Sequence, residues 1–484
     1  MEKMRWEDLL NEKRRRPKHK EKEEDKFIQN KQWQDHRNEF ERDYDRIVSS
    51  SSLRRLQDKA QVFPLQDNDF VRTRLTHSIE VSSIARSFGV WLENWLIEKR
   101  KIQEKDRRKI PAMLATAGLV HDVGNPPFGH YGEDVIKQWF EEWFEHNKTV
   151  VEDNEKFDFL NFDGNAQGIR VLTTLQFLND RYGINFTYGT LSVLIKYPWD
   201  SSDKKAREDK KFGFFQKDIE IGKDIIDNTV RLKNTRNPMT YFLEAADDIA
   251  YLGADVEDGV KKGIIPWEKI FEGNSLGENS EIEELFKEIT KVYSSEFKEI
   301  QKKHEKAKNS KIPDYCLSSV RNFKVWVQGV MMREVMEVFE GNYSDIMKGD
   351  FKGESFLEVT ENAYKLEKFL RKLLKTYCFK DKEVLSLELV GDSVISDLLT
   401  IFVKSILSEK DIEQNHRCKE GKLFRMISDN FIFVHLLDEK GIKNKTMKNL
   451  SAYDKLLLIT DFISGMTDSY AVDLHQKLKG VKMP

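Results

Sequence analysis

Between Pro111 and Gly124 the chain reads PAMLATAGLVHDVG, with no charged side chain before His121 and Asp122. A helix apolar on every side has to be buried. The turn residues of GNPPFGHYGE stop it directly afterwards. A body able to enclose such a helix is expected to be built of other helices. Only 10 prolines and 25 glycines punctuate 484 residues in which Leu, Lys, Glu and Ile dominate. Helices should therefore be long and numerous, and the fold class is read as all-α.

Acids and bases nearly cancel, leaving a formal charge of -3, so no global field demands nucleic acid as the partner. No run of about 18 apolar residues occurs, and MEKMRWEDLLNEKRRRPKHKEKEED lacks the apolar core of a signal peptide. Cys316, Cys378 and Cys418 are odd in number and share no CxxC spacing, which excludes a disulfide framework or a thiolate zinc site and fits a cytoplasmic setting.

Residues 1–40 read as a polar, solvated arm with the basic cluster Arg14, Arg15, Arg16, Lys18 and Lys20. SIEVSSIARSFGVWLENWLIEK places Ile79, Val81, Ile84, Ala85, Phe88, Leu92 and Leu96 on one helical stripe. Further helices are expected over DGNAQGIRVLTTLQFL and PMTYFLEAADDIAYLGADVEDGV, with SSDKKAREDKKFGFF between them as a loop. Residues 271–420 read as a helical subdomain, and AYDKLLLITDFISGMTDSYAVDLHQKL as one long helix within a C-terminal unit, 421–484, that packs back on the core.

Chemistry concentrates in a few places. His121 and Asp122, about 100° apart on a helix leaving the core, can meet one ion. A buried carboxylate beside a buried imidazole requires a cation or a hydrogen-bonding partner. Asp247, Tyr251 and Asp255 recur every four residues and line one helix face, while Asp248, Glu257 and Asp258 fall off that stripe and suit a solvated acidic face. With His77 on a third helix, two imidazoles and two carboxylates suit Mn²⁺, Mg²⁺, Fe²⁺ or Ni²⁺ better than structural zinc. Glu133, three residues after His130, can reach back to that imidazole as an acid–base partner. Arg74, Lys196 and Lys211 are cations suited to a polyphosphate.

His77 in RTRLTHSIEVS, then His121-Asp122, then Asp247, resembles the H…HD…D signature of HD-domain phosphohydrolases. RIVSSSSLRRLQDKAQVFPL, VRTRLTHSIEVSSIAR, LVHDVGNPPFGHYGE, FDGNAQGIR, EAADDIAY and DFISGMTD extend the likeness, in order, to the deoxynucleoside-triphosphate triphosphohydrolases and in particular the bacterial dGTP triphosphohydrolases. The resemblance implies an HD-domain catalytic core over residues 41–270. The implied reaction is hydrolysis of dGTP, with other dNTPs as further substrates, to deoxynucleoside and triphosphate. Mg²⁺ or Mn²⁺ would sit on His77, His121, Asp122 and Asp247, and His130 with Glu133 would act on the attacking water.

By the same resemblance Arg74, Lys196, Tyr197 and Lys211 meet the triphosphate, and Gln61 and Asn165 are substrate contacts, Gln61 at the sugar. Tyr251 and Asp255 suit exclusion of a 2′-hydroxyl and binding of the 3′-hydroxyl. Val62 lies beside the base, and Arg425 in LFRMISD is the candidate for guanine recognition. Assembly as a homo-oligomer, often a hexamer, and binding of single-stranded DNA are also implied; a membrane partner is not. Two other readings stand beside this one. A different HD phosphohydrolase, such as a nucleotide 5′-phosphatase or alarmone hydrolase, is disfavoured by His130, Glu133, Tyr251 and the lysine motifs. A catalytically dead nucleotide-sensing or DNA-binding regulator is disfavoured by the intact ligand set.

Overall fold

Short polar side chains open most of the long helices, each satisfying backbone N–H groups that the first turn leaves free. A computed structural model describes residues 3–16, 35–63, 72–176, 180–438 and 441–483. Among them the only extended pairings are isolated bridges, so the fold is all-α. The elements that position the site are α1 (Glu39–Val48), α2 (Arg74–Glu98), α3 (Lys109–Val120), α4 (Gly129–His146), α5 (Gly164–Arg170) and α6 (Tyr188–Leu194). They continue with α7 (Pro238–Lys261), α8 (Tyr315–Lys348), α9 (Ala363–Leu373), α10 (Lys382–Ile406), α11 (Ala452–Ser464) and α12 (Asp468–Leu478). None of the described helices is long and apolar enough to cross a membrane.

Two hydrophobic cores meet along α5. The first gathers α2, α3, α6, α7, α8 and α9; the second gathers α4, α10, α11 and α12. Ile169 of α5 belongs to the first core and Ala166 to the second. The apolar run 111–120 lies against α2 so closely that a Cβ on Gly118 would stand 2.8 Å from the Ser82 Cα. Only glycine permits that approach, and the Ser82 hydroxyl seals it by donating to the Ala115 carbonyl at 2.8 Å.

Several expectations change. Residues 3–16 are not a solvated arm: Met4, Trp6, Leu9 and Leu10 are buried in the first core, their helical spacing outweighing the polar company they keep. Arg14 bonds Asp43 at 2.5 Å and Glu39 at 2.8 Å, Arg15 faces Asp224 at 3.6 Å and Arg16 pairs with Asp180. Three cations of the basic cluster are thus engaged internally; Lys18 and Lys20 lie outside the described residues. The expected loop after Ser201 contains a short helix, Lys204–Asp209, and the aromatic side chains that follow, Phe212, Phe214 and Phe215, are buried.

The stretch 271–420 is divided rather than a single subdomain. Its first helices pack on α8 and α9, which pack on α7 in the first core, whereas α10 from Val394 onward belongs to the second. Ile79, expected on the buried stripe of α2, is 54% exposed. The single helix expected over 452–478 breaks at Gly465, and Thr467 caps a new one. The three cysteines are free.

Candidate active site

The start of α2, the end of α3 and the middle of α7 bring four of the expected side chains together. The His77 and His121 rings stand 5.4 Å apart at 71°. His77 Nε2 lies 2.9 Å from Asp247 Oδ1, and His121 Nε2 lies 3.4 Å from the same oxygen and 3.5 Å from Asp122 Oδ1. Donor atoms of His77, His121 and Asp122 all fall within 4.8 Å of one another, close enough to share one metal ion. His121 Nδ1 is 2.8 Å from the Gly118 carbonyl. A carbonyl only accepts, so Nδ1 carries a proton and Nε2 is the atom turned to the cluster, protonated while the imidazole is charged and offering a lone pair once an ion displaces that proton. That buried Nε2 has no hydrogen-bond partner.

Charge explains the balance. Burial alone would push His121 down, but the Asp122 and Asp247 carboxylates outweigh it and hold the imidazole up at about 9. Burial pushes the Asp122 carboxyl up, yet His121 and Arg74 bring it to about 2. Asp247 lies well below the ordinary carboxylate range because His121 and His77 overcome its burial. Protons here do the work of a cation, and a divalent ion would displace them.

Asp122 is held from behind. Arg74, itself 3% exposed, bonds Asp122 Oδ2 at 2.8 Å, and Asn125 Nδ2 donates to Oδ1 at 2.6 Å. Gly129, with φ of +61°, opens α4 beside that guanidinium; a Cβ there would stand 2.1 Å from Arg74 Nη2. One residue on, His130 is exposed and turns Nδ1 toward Glu133 Oε2 at 3.7 Å. Glu133 is buried, and its Oε1 accepts from the Gly164 amide at 3.2 Å. Interaction with the Glu133 carboxylate raises the His130 imidazole above its ordinary value.

A narrow cavity of about 40 Å³ reaches His121 and Asp247 between Asn165, Lys196 and Glu244. It adjoins a cleft of about 1000 Å³ that also borders Asp247 and takes in Tyr197, Lys211, Arg236 and Arg371. Four cleft cations sit on acids: Lys196 on Glu244 at 3.0 Å, Arg236 on Glu244 at 3.1 Å, Lys211 on Asp163 at 3.2 Å and Arg371 on Asp248 at 2.8 Å, whereas Lys205 and Lys368 lie over the Trp199 and Tyr364 rings. Arg371 also stacks on the Tyr251 ring, 5.3 Å from its centroid, and donates to its hydroxyl.

The remaining expected residues divide. Gln61 and Val62 are half-buried, Val62 against the first core, and Gln61 Oε1 is buried without a partner. Asp255 is buried with Oδ2 unpartnered, and burial raises it well above the carboxylate range. Arg425 is exposed beyond the helix Lys419–Phe424, where it donates to the Glu413 carbonyl at 3.4 Å. No hydrogen bond or ion pair joins it to the cluster among the described residues. The acidic face expected for Asp248, Glu257 and Asp258 is not solvated: Glu257 and Asp258 are buried against Arg72, and Asp248 is paired with Arg371.

Asn125, Lys59, Glu244, Asp163, Arg236 and Arg371 were not expected. Asn125, three residues past Asp122 in a tight turn, could have been found from its spacing. Arg371 carried no local signal, since its contact spans more than a hundred residues.

An HD domain model matches residues 74–183, which contain His77, His121, Asp122, His130 and Glu133. The chain is 42% identical over 99% of its length to a deoxyguanosinetriphosphate triphosphohydrolase-like protein of Listeria innocua, covering all of that relative. A similarly named protein of Synechocystis is 31% identical over 99% of this chain and 100% of its own. A deoxyguanosinetriphosphate triphosphohydrolase of Serratia proteamaculans is 30% identical over 91% of this chain and 93% of its own. With that full-length identity and the convergence of His77, His121, Asp122 and Asp247, the chain belongs to the HD-domain deoxyguanosinetriphosphate triphosphohydrolase family.

Proposed function

We propose that the chain is a metal-dependent hydrolase that cuts deoxynucleoside triphosphates, dGTP first, into deoxynucleoside and intact triphosphate. The observation that carries this is the meeting of two imidazoles and two carboxylates at the edge of a cation-lined cleft, with His121 Nε2 buried and turned to Asp122 and Asp247. That donor set fits Mg²⁺ or Mn²⁺ held by His77, His121, Asp122 and Asp247. When bound, the ion polarises a phosphoryl oxygen and offsets charge developing there.

The chain's own groups then have separate tasks. Glu133 holds the His130 Nδ1 proton, which leaves Nε2 to take a proton from the attacking water as its oxygen bonds to the α-phosphorus. The bond to the nucleoside 5′-oxygen breaks, and that oxygen leaves with a proton from solvent. Lys196, Tyr197, Lys211 and Arg74 face the triphosphate, with Asn165 at the narrow cavity. Gln61 Oε1 and Asp255 Oδ2 are buried acceptors for which a 3′-hydroxyl is a fitting donor. The Tyr251 ring suits a sugar without a 2′-hydroxyl, and Val62 the base. Homo-oligomeric assembly, cytoplasmic location and single-stranded DNA binding belong to the same reading, with Arg14, Arg15 and Arg16 removed from the DNA contacts.

The test is product analysis with each dNTP in Mg²⁺ or Mn²⁺. Intact triphosphate is expected. Pyrophosphate or orthophosphate would identify another phosphohydrolase, and no product with any nucleotide would favour a regulator.

A further inference from the structure

The break between α11 and α12, which the periodicity of the sequence conceals, grips two separate loops of the site. The C-terminal end of α11 offers carbonyls that no further turn satisfies. Lys59 Nζ donates to the Ser464 carbonyl at 3.2 Å, and Arg55 to the Gly465 carbonyl at 3.3 Å. Cations are favoured at such an end. Asp468, buried in the first turn of α12, accepts from the Ala60 amide at 2.8 Å through one oxygen and from the Phe128 amide at 2.9 Å through the other. Ser469 adds a bond to Asp58 at 2.6 Å.

Asp468 therefore bridges two segments that serve different tasks. Ala60 precedes Gln61, and its segment is tied to the start of α2 by the Arg74 amide, which donates to the Lys59 carbonyl at 3.0 Å. Phe128 stands two residues before His130 and holds a left-handed conformation, φ +62°, that a bulky residue keeps only when its surroundings impose it. Lys59 ties the same two loops a second time, donating to the Asn125 carbonyl at 2.5 Å.

We propose that Asp468 is a positioning residue that sets the distance between Gln61, at the sugar, and His130, at the attacking water, by holding the Ala60 and Phe128 amides on its two oxygens. This rests on the site reading given above. An asparagine there keeps one acceptor and turns an amino group against the second N–H.

The experiment uses the full chain with Mg²⁺ or Mn²⁺ and compares Asp468→Asn with the unaltered protein on dGTP and GTP. If the unaltered protein releases no triphosphate from dGTP, the site reading fails and not this one. Given activity, kcat is expected to fall about 10- to 100-fold, the effect of a displacement on the order of 1 Å. The preference for dGTP over GTP should fall with it, while thermal stability shows the protein folded.

A general loss of folded protein would lower the rate and leave KM and sugar preference unchanged. In a His130→Ala background Asp468→Asn should cost less than threefold more in kcat, because groups acting as a unit are not additive. Where Asp468→Asn does not fold, Asp468→Glu keeps both acceptors and displaces them by one methylene; the same paired losses are expected, smaller in size. Folded variants with unchanged kcat and unchanged sugar preference, or full additivity with His130→Ala, would overturn the proposal.

Discussion

The quartet of His77, His121, Asp122 and Asp247, proposed to hold the metal, and the cleft wall beside it are built on opposite plans. Around the quartet there is no slack: α3 lies on α2 across a glycine, Arg74 and Asn125 fix Asp122, and the Gly118 carbonyl fixes the His121 tautomer. On the cleft wall Lys196, Arg236, Lys211 and Arg371 rest on carboxylates, and the Lys196 and Lys211 side chains are each 34% exposed. Ligands of one ion have to be placed before it arrives, whereas cations awaiting a polyanion need partners that can be exchanged. On the proposed reading, rigid packing serves the metal side and interchangeable ion pairs the substrate side.

The strongest way to break that contrast is Asp247→Ala, the one quartet member that also faces the cleft. Loss of metal-centred charge stabilisation worth several kcal/mol corresponds to a fall in turnover of about 10³-fold or more. Calorimetric titration with Mn²⁺ should show metal binding lost in parallel. Metal retained at full affinity would mean that the quartet is a triad.

A smaller effect is expected for Glu133→Gln. The Glu133 carboxylate raises the His130 imidazole, and a base works only when deprotonated, so kcat should climb with pH through a midpoint above the ordinary imidazole value. Removing the charge moves that midpoint to lower pH, while the plateau falls on the order of tenfold as the base weakens. A kcat profile against pH checks both, and a midpoint that stays in place would separate His130 from the titration.

The smallest and most diagnostic change is Glu244→Gln. Freeing Lys196 and Arg236 from a shared, partly buried carboxylate removes a pair worth about 1 kcal/mol, which should lower KM for the triphosphate about fivefold. Unchanged or weaker binding would show that Glu244 orients these cations rather than competing for them.

Much of the site was legible because its chemistry is costly to bury. His121-Asp122 at the end of an apolar helix, and Asp247 and Tyr251 on one face of α7, stood out since such groups need partners. Arg425 did not join them: a cation on a short amphipathic segment looks the same in sequence whether it points to a ligand or to solvent. The N-terminal residues show the reverse error, because Trp6, Leu9 and Leu10 carry a helical spacing that the surrounding charges obscured. The break at Gly465 was hidden for another reason, since apolar periodicity runs on through it and only the capping Thr467 hints at a second helix.

By itself the sequence determined the helical class and the family, and it singled out the side chains proposed to hold the metal and the proposed His130–Glu133 pair, from local periodicity, from three- and four-residue spacings and from motif order. Only the tertiary structure decided that two cores meet along α5, that the cleft cations rest on Glu244, Asp163 and Asp248, and that Asp468 reaches Ala60 and Phe128. Most of these contacts join residues tens to hundreds of positions apart, and no local pattern encodes which distant partner satisfies a buried polar group; packing makes that choice.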